Sequence, residues 1–186
     1  MTSTRQLAAL QTAYRNMVYP YAPHLTTAVT LTLKLNAGIR VARFDNVAGE
    51  YFEFRQQLTD EIISSTLRRF VCKLTHYLYG NDAKHPNKRH WAKPLVIASI
   101  EGRQTGKRPH LHVAIGNVPA DRQAQIGDYI ARAWSDCDFG NKHLCIKPLS
   151  NSFGWLDYMT KEIGYADTDV LAVEHLSIPE ISQRSI

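Results

Sequence analysis

Cysteine is scarce in this 186-residue sequence, which has three copies: Cys72, Cys137 and Cys145. Their odd number and the lack of any Cys-x-x-Cys pair argue against a disulfide framework and against a cysteine-based zinc knuckle. A reducing host cytoplasm, or the nucleus of a eukaryotic host, is the expected location. Long apolar runs are also missing, since no stretch reaches the roughly 20 residues that span a bilayer. The N-terminal stretch is interrupted by Arg5, Gln6, Gln11, Arg15 and Asn16, unlike the apolar block of a signal peptide. No repeat or low-complexity block appears, so one domain over 1–186 is expected, with its core at about 26–164. Acidic residues are outnumbered, 17 against 22 Lys and Arg. The excess favours a polyanionic partner without choosing between nucleic acid and membrane.

What is present is a regular alternation of elements. Leu7, Leu10, Tyr14 and Met17 recur at helical spacing, predicting a helix over 3–17 that ends before Pro20 and Pro23. Residues 26–35 are rich in β-branched side chains and alternate, with Val29, Leu31 and Leu33 on one face and Thr30, Thr32 and Lys34 on the other. An apolar stripe through Leu58, Ile62, Ile63, Leu67, Phe70, Val71, Leu74 and Leu78 predicts the longest helix, over 55–79. Strands follow at 94–101 and 109–116, joined by a glycine-bearing turn into an antiparallel hairpin. A helix from Pro119 to about Trp134, a strand at 142–147 and a helix at 152–162 complete the order. Gly164 is a plausible stop for the last helix. The fold class expected is α+β: a central antiparallel sheet flanked by helices.

On the strand at 109–116, a period of two puts His110, His112 and Ala114 on one face and Leu111, Val113 and Ile115 on the other. Residues two apart lie roughly 6–7 Å apart along a strand, so both imidazoles can reach one metal ion. Glu101 ends the preceding strand, and folding the hairpin brings its carboxylate beside them. Two nitrogens, one oxygen and open positions suit Mn²⁺, Mg²⁺ or Zn²⁺ without selecting among them. In the last helix, Tyr158 and Lys161 are three apart and share a face. A cation or metal ion nearby favours the phenolate, which can attack phosphorus as a covalent nucleophile. Taken singly, each motif has a plain structural reading: hydrogen-bonded histidines, an exposed strand-end carboxylate, a core tyrosine and a solvated lysine.

Taken together they resemble a family. His110-Leu111-His112 is a His-hydrophobic-His motif, Tyr158-x-x-Lys161 is a single-tyrosine motif, and both stand in the order used by HUH endonucleases. The resemblance is to the single-tyrosine initiators of rolling-circle replication. Thr30-Leu31-Thr32-Leu33 is similar to that family's first motif, and the resemblance spans about 26–164. It implies the ferredoxin-like, RRM-like sheet of these nickases. It also implies a divalent ion, Mn²⁺ or Mg²⁺, on Glu101, His110 and His112, attack by Tyr158 on the scissile phosphate, and Lys161 positioning or neutralising that phosphate. The second tyrosine of some relatives is absent, because position 162 is Glu. Tyr165 falls beyond Gly164 and is expected to be non-catalytic.

The partner implied is single-stranded origin DNA of a plasmid, phage or mobile element, with no membrane involved. Contacts are expected from Thr30 and Thr32, from Lys84, Lys88, Arg89 and Lys93 around Trp91, and from Arg103, Lys107 and Arg108 in the hairpin turn. Cations attract phosphate without sequence preference, and an indole can stack on an unpaired base. Residues 102–108 are one residue short of a phosphate-binding loop and lack a Ser or Thr after Lys107. Unwinding is therefore left to a host helicase and replication machinery. A transposase or relaxase shares the chemistry, a non-catalytic origin-binding module would use the same residues structurally, and a phosphodiesterase using water would leave no covalent adduct.

Overall fold

The computed structural model describes residues 4–42, 51–103, 107–164 and 170–180. Its elements are α1 (Thr4–Val18), β1 (Leu25–Leu33), β2 (Asn36–Ala42), β3 (Tyr51–Gln57), α2 (Asp60–Tyr79), β4 (Leu95–Glu101), β5 (His110–Gly116), α3 (Ile126–Ser135), β6 (Gly140–Pro148) and α4 (Ser152–Met159). Four strands form one antiparallel sheet in the order β4-β5-β1-β6, and helices flank it. The α+β class expected from the sequence is the class observed. Among the described residues no helix is long and apolar enough to cross a membrane.

Alternation along the strands divides the core. Val29, Leu31 and Leu33 of β1, Val96, Ala98 and Ile100 of β4, and Leu111, Val113 and Ile115 of β5 bury one face of the sheet against α2 and α3. There Phe70 meets Trp134 edge to face at 5.7 Å. The helix α2 starts where the Thr59 hydroxyl accepts from the Ile62 amide, with Asp60 and Glu61 in the favourable first turn. It turns Ile63, Leu67, Phe70, Leu74 and Leu78 to the sheet at helical spacing. The opposite face packs Leu95, Ile97 and Ala114 against Val18, Ala22, Leu156 and Met159, so α1 and α4 cover it.

Several boundaries differ from the sequence reading; the helix expected from Pro119 opens as a 3-10 turn, Ala120–Gln125, before α3, and β6 is longer at both ends than 142–147. Residues 55–57, expected to open the long helix, belong to β3, which pairs with β2 in a separate two-stranded sheet. The alternation of Tyr51–Gln57 serves that pairing, and Thr59 is the first residue able to cap a helix. The last helix ends at Met159 rather than 162, because the Thr160 hydroxyl donates back to the carbonyls of Leu156 and Asp157 and the chain tightens into a 3-10 turn, Lys161–Gly164. Beyond it, the stretch 170–177 bonds its backbone to β4 through Val170, Ala172 and Ser177 and shields that edge.

Candidate active site

The hairpin register sets Glu101 opposite His110 and Ser99 opposite His112, while β1 places Thr32 and Thr30 on the other side of the same two histidines. The turn that closes the hairpin needs glycine at its start. Gly102 has φ +90, and a Cβ there would stand 2.8 Å from the Arg108 carbonyl oxygen. Its amide donates to Glu162 Oε2 at 3.3 Å, which fastens the hairpin to the turn after α4.

Three ligand-type atoms converge on one point. His110 Nε2 and His112 Nε2 are 3.2 Å apart, and Glu101 Oε2 lies 3.6 Å and 3.4 Å from them. Donors held about 2.1 Å from a shared ion stand roughly 3.0 Å apart in octahedral and 3.4 Å apart in tetrahedral geometry, so the spacing fits a single metal. The other ring nitrogens are engaged. His110 Nδ1 is 3.1 Å from the Arg108 carbonyl oxygen, which can only accept, so Nδ1 carries a proton; with an ion bound the ring would be neutral and turn its Nε2 lone pair inward. His112 Nδ1 is 3.0 Å from the Thr30 hydroxyl, which can accept from an Nδ1–H and so leave Nε2 free for an ion. Glu101 is 2% exposed, and its second oxygen, Oε1, is buried without a hydrogen-bond partner. A carboxylate so placed wants a cation. Glu101, His110 and His112 thus form a group able to hold a metal ion.

The electrostatics follow. Burial works to raise the Glu101 carboxyl, but hydrogen bonds from His110, His112 and Lys161 outweigh it and hold the group well below the ordinary carboxylate range. The same bond to Glu101 lifts His110 above the usual imidazole value, against the opposing effect of its burial. Lys161 is also raised: burial disfavours its charge, yet the Tyr158 side chain and the Glu101 carboxylate prevail.

The phenol expected as nucleophile stands beside this group. The ring of Tyr158 lies 5.0 Å from that of His112, edge to face, and Tyr158 is 42% exposed, so it is reachable from solvent. Although α4 ends before Lys161, the 3-10 turn folds that ammonium back: Nζ sits 3.2 Å over the Tyr158 ring and 3.0 Å from Glu101 Oε2. Trp155 stacks on Tyr158 at 5.4 Å with its plane tilted 14°, and meets His112 edge to face at 5.3 Å. An open cleft of about 400 Å³ beside the phenol is lined by Ala28, Lys147, Asn151, Trp155 and Tyr158.

The structure sorts the other expected residues into two groups. Thr30 serves His112, and the Thr32 hydroxyl donates to the His143 carbonyl on β6. Arg108 donates from Nε to the Leu33 carbonyl at 2.8 Å, Lys107 is exposed at the turn, and Arg103 lines a cleft with Asp60 and Glu61. Lys84, Lys88, Arg89, Trp91 and Lys93 precede β4 and therefore stand at the end of the sheet opposite Glu101, about 20 Å away over six strand residues. Lys88 pairs there with Asp82 at 2.9 Å, and Trp91 lines a separate cavity of about 560 Å³ with Asn117 and Arg122. That basic loop does not flank the centre. Tyr165 lies outside the described residues, as do Gln104, Thr105 and Gly106 of the hairpin turn. Trp155, Lys147 and Glu162 were missed by motif reading; Trp155, three residues before Tyr158, carried the one available signal.

No family model, curated protein or solved structure matches this chain. The chemistry is therefore read from the side chains themselves.

Proposed function

We propose that this chain is a metal-dependent DNA nicking and joining enzyme of the HUH type, which cuts one strand of single-stranded origin DNA and starts rolling-circle replication of a plasmid, phage or mobile element. Glu101, His110 and His112 would hold Mn²⁺ or Mg²⁺, which when bound supplies Lewis-acid neutralisation of the scissile phosphate. The observation that carries the reading is the convergence of a reachable phenol, an ammonium and a three-donor group within one small volume.

Tyr158 supplies the nucleophile. Its phenolic oxygen loses a proton and bonds to phosphorus, the bond from phosphorus to O3′ breaks, and the departing O3′ takes up a proton. The products are a 5′-phosphotyrosine and a free 3′-hydroxyl. Attack by a 3′-hydroxyl on the phosphotyrosine reverses the step and rejoins ends, since the ester linkage is conserved. Lys161 holds positive charge against both the phenol and the carboxylate, where the phosphate must approach. Trp155 offers a flat indole beside the cleft on which an unpaired base can stack. Strand separation at the origin would fall to a host helicase.

The test uses single-stranded oligonucleotides spanning the origin of the replicon that encodes the chain, incubated with the protein and Mn²⁺. A slower band that survives denaturation is expected for wild type and is lost in Tyr158→Phe, while oligonucleotide binding persists. An adduct persisting in Tyr158→Phe moves the nucleophile elsewhere, and cleavage without adduct assigns that role to water. Binding without cleavage would leave a non-catalytic origin-binding module.

A further inference from the structure

The helix that carries Tyr158 is short. Eight residues give about two turns, and helices below roughly 12 residues are marginal on their own. The direction in which the phenol points is therefore set by what α4 is packed against. Trp155 and Tyr158 turn toward the histidines, and the rest of α4 is held by the N-terminal helix and the turn that follows it.

The grip is specific. Asp157, the residue immediately before Tyr158, accepts through Oδ1 from the Tyr19 hydroxyl at 2.5 Å and forms an ion pair with Arg15, whose Nε lies 2.8 Å away. One turn either way the hold continues: the Tyr19 ring meets Phe153 edge to face at 5.3 Å, and Gln11 Nε2 donates to the Thr160 carbonyl at 3.1 Å. Between these polar ties Leu156 and Met159 are buried with Val18 and Ala22. A half-exposed ion pair adds little to stability, so three groups on one carboxylate and its neighbouring turn are better suited to fixing rotation. The bond to Asp157 also raises the Tyr19 phenol above its ordinary value, which keeps it protonated and donating.

We propose that Arg15, Tyr19 and Asp157 are positioning residues that lock the rotation of α4 and so aim Tyr158 at the Glu101, His110, His112 group. The inference rests on Tyr158 being the nucleophile, and it gives the N-terminal helix a role in the reaction rather than in the core alone. A displacement of about 1 Å at a reacting group can cost roughly 100-fold in rate.

The experiment measures adduct formation at saturating oligonucleotide with Mn²⁺, together with hydrogen exchange across 152–160. In Asp157→Ala the rate is expected to fall about 10- to 100-fold, with the KM for oligonucleotide and the affinity for Mn²⁺ little changed and exchange in α4 faster. Asp157→Asn, which still accepts from Tyr19, should fall between, and Tyr19→Phe provides a milder variant that keeps the ring contact with Phe153. Wild-type rate and exchange in both Asp157→Ala and Tyr19→Phe would overturn the proposal. So would a rate loss matched by equal losses in Mn²⁺ affinity and global stability, which marks a general structural role. If wild type forms no adduct, the nucleophile reading fails, and exchange alone decides: protection of 152–160 lost in Asp157→Ala supports the clamp, and unchanged protection contradicts it.

Discussion

The two faces of the central sheet are built from the same strands by the same period of two, yet they do opposite work. Toward α2 and α3 the strands present aliphatic side chains, and Phe70 and Trp134 fill the centre, with the Trp134 indole nitrogen buried there without a partner. Toward α4 the strands begin the same way, with Leu95, Ile97 and Ala114, and then turn polar at Ser99, Glu101, His110 and His112. One face resembles a solvent-transfer problem already solved. The other holds a buried carboxylate whose Oε2 meets Lys161 and the histidines while Oε1 has no partner, a cost to stability that a bound ion would offset. Along a single strand, then, parity assigns a residue to a face, and on the α4 side position along the strand separates folding from chemistry.

The comparison can be broken most forcefully by one substitution on each face. Phe70→Ala empties the aliphatic side and should cost about 3–5 kcal/mol, read as a large drop in the urea midpoint, while metal affinity of the folded fraction holds. His112→Ala should do the reverse, with a much smaller midpoint shift and Mn²⁺ affinity reduced by more than the roughly 100-fold ceiling typical of losing an outer partner. Equal effects of both on both readouts would erase the distinction between the faces.

A finer cut lies within β1. Thr30→Ala removes the hydroxyl beside His112 Nδ1 and should weaken Mn²⁺ binding about 10- to 100-fold by calorimetry. Thr32→Ala, whose hydroxyl serves the His143 carbonyl instead, should leave it near wild type.

The smallest effect is one of pH. His110 is raised by Glu101, so without metal its pairing stabilises the fold fully below the ordinary imidazole value and is lost as pH rises through the raised one. Glu101 is lowered, so its contribution is present above the ordinary carboxylate value and is lost as pH falls toward the depressed one. Urea midpoints in chelator should therefore decline on both sides of a mildly acid maximum, and Glu101→Gln should flatten the profile. With Mn²⁺ present, affinity should fall about tenfold per unit once His110 holds a proton that the ion must displace.

Much of this was legible from residues alone. Parity placed His110 and His112 on one face and the hairpin delivered Glu101, because strand geometry is local and nearly invariant. The four strands of the main sheet and the long helix could be read for the same reason. The β2–β3 pair could not: Phe52 and Phe54 alternate over too short a stretch to mark a strand, and the periodicity after Leu58 drew residues 55–57 into the helix. The fate of the basic loop before β4 was legible but misjudged. Its charge was visible and drew it to the site, although chain order already sets residues that precede β4 at the end of the strand opposite Glu101, far from the histidines. The grip of Arg15 and Tyr19 on Asp157 spans more than 130 residues of sequence and has no local pattern at all.

The central claim is that Glu101, His110 and His112 bind one divalent ion next to Tyr158. The most direct measurement is anomalous diffraction from crystals of the protein grown with Mn²⁺. The account predicts a single strong peak on the order of 2.1 Å from Glu101 Oε2, His110 Nε2 and His112 Nε2, adjoining the Tyr158 ring and absent in His112→Ala. A peak held by other residues, or none at these three at saturating Mn²⁺, would contradict it.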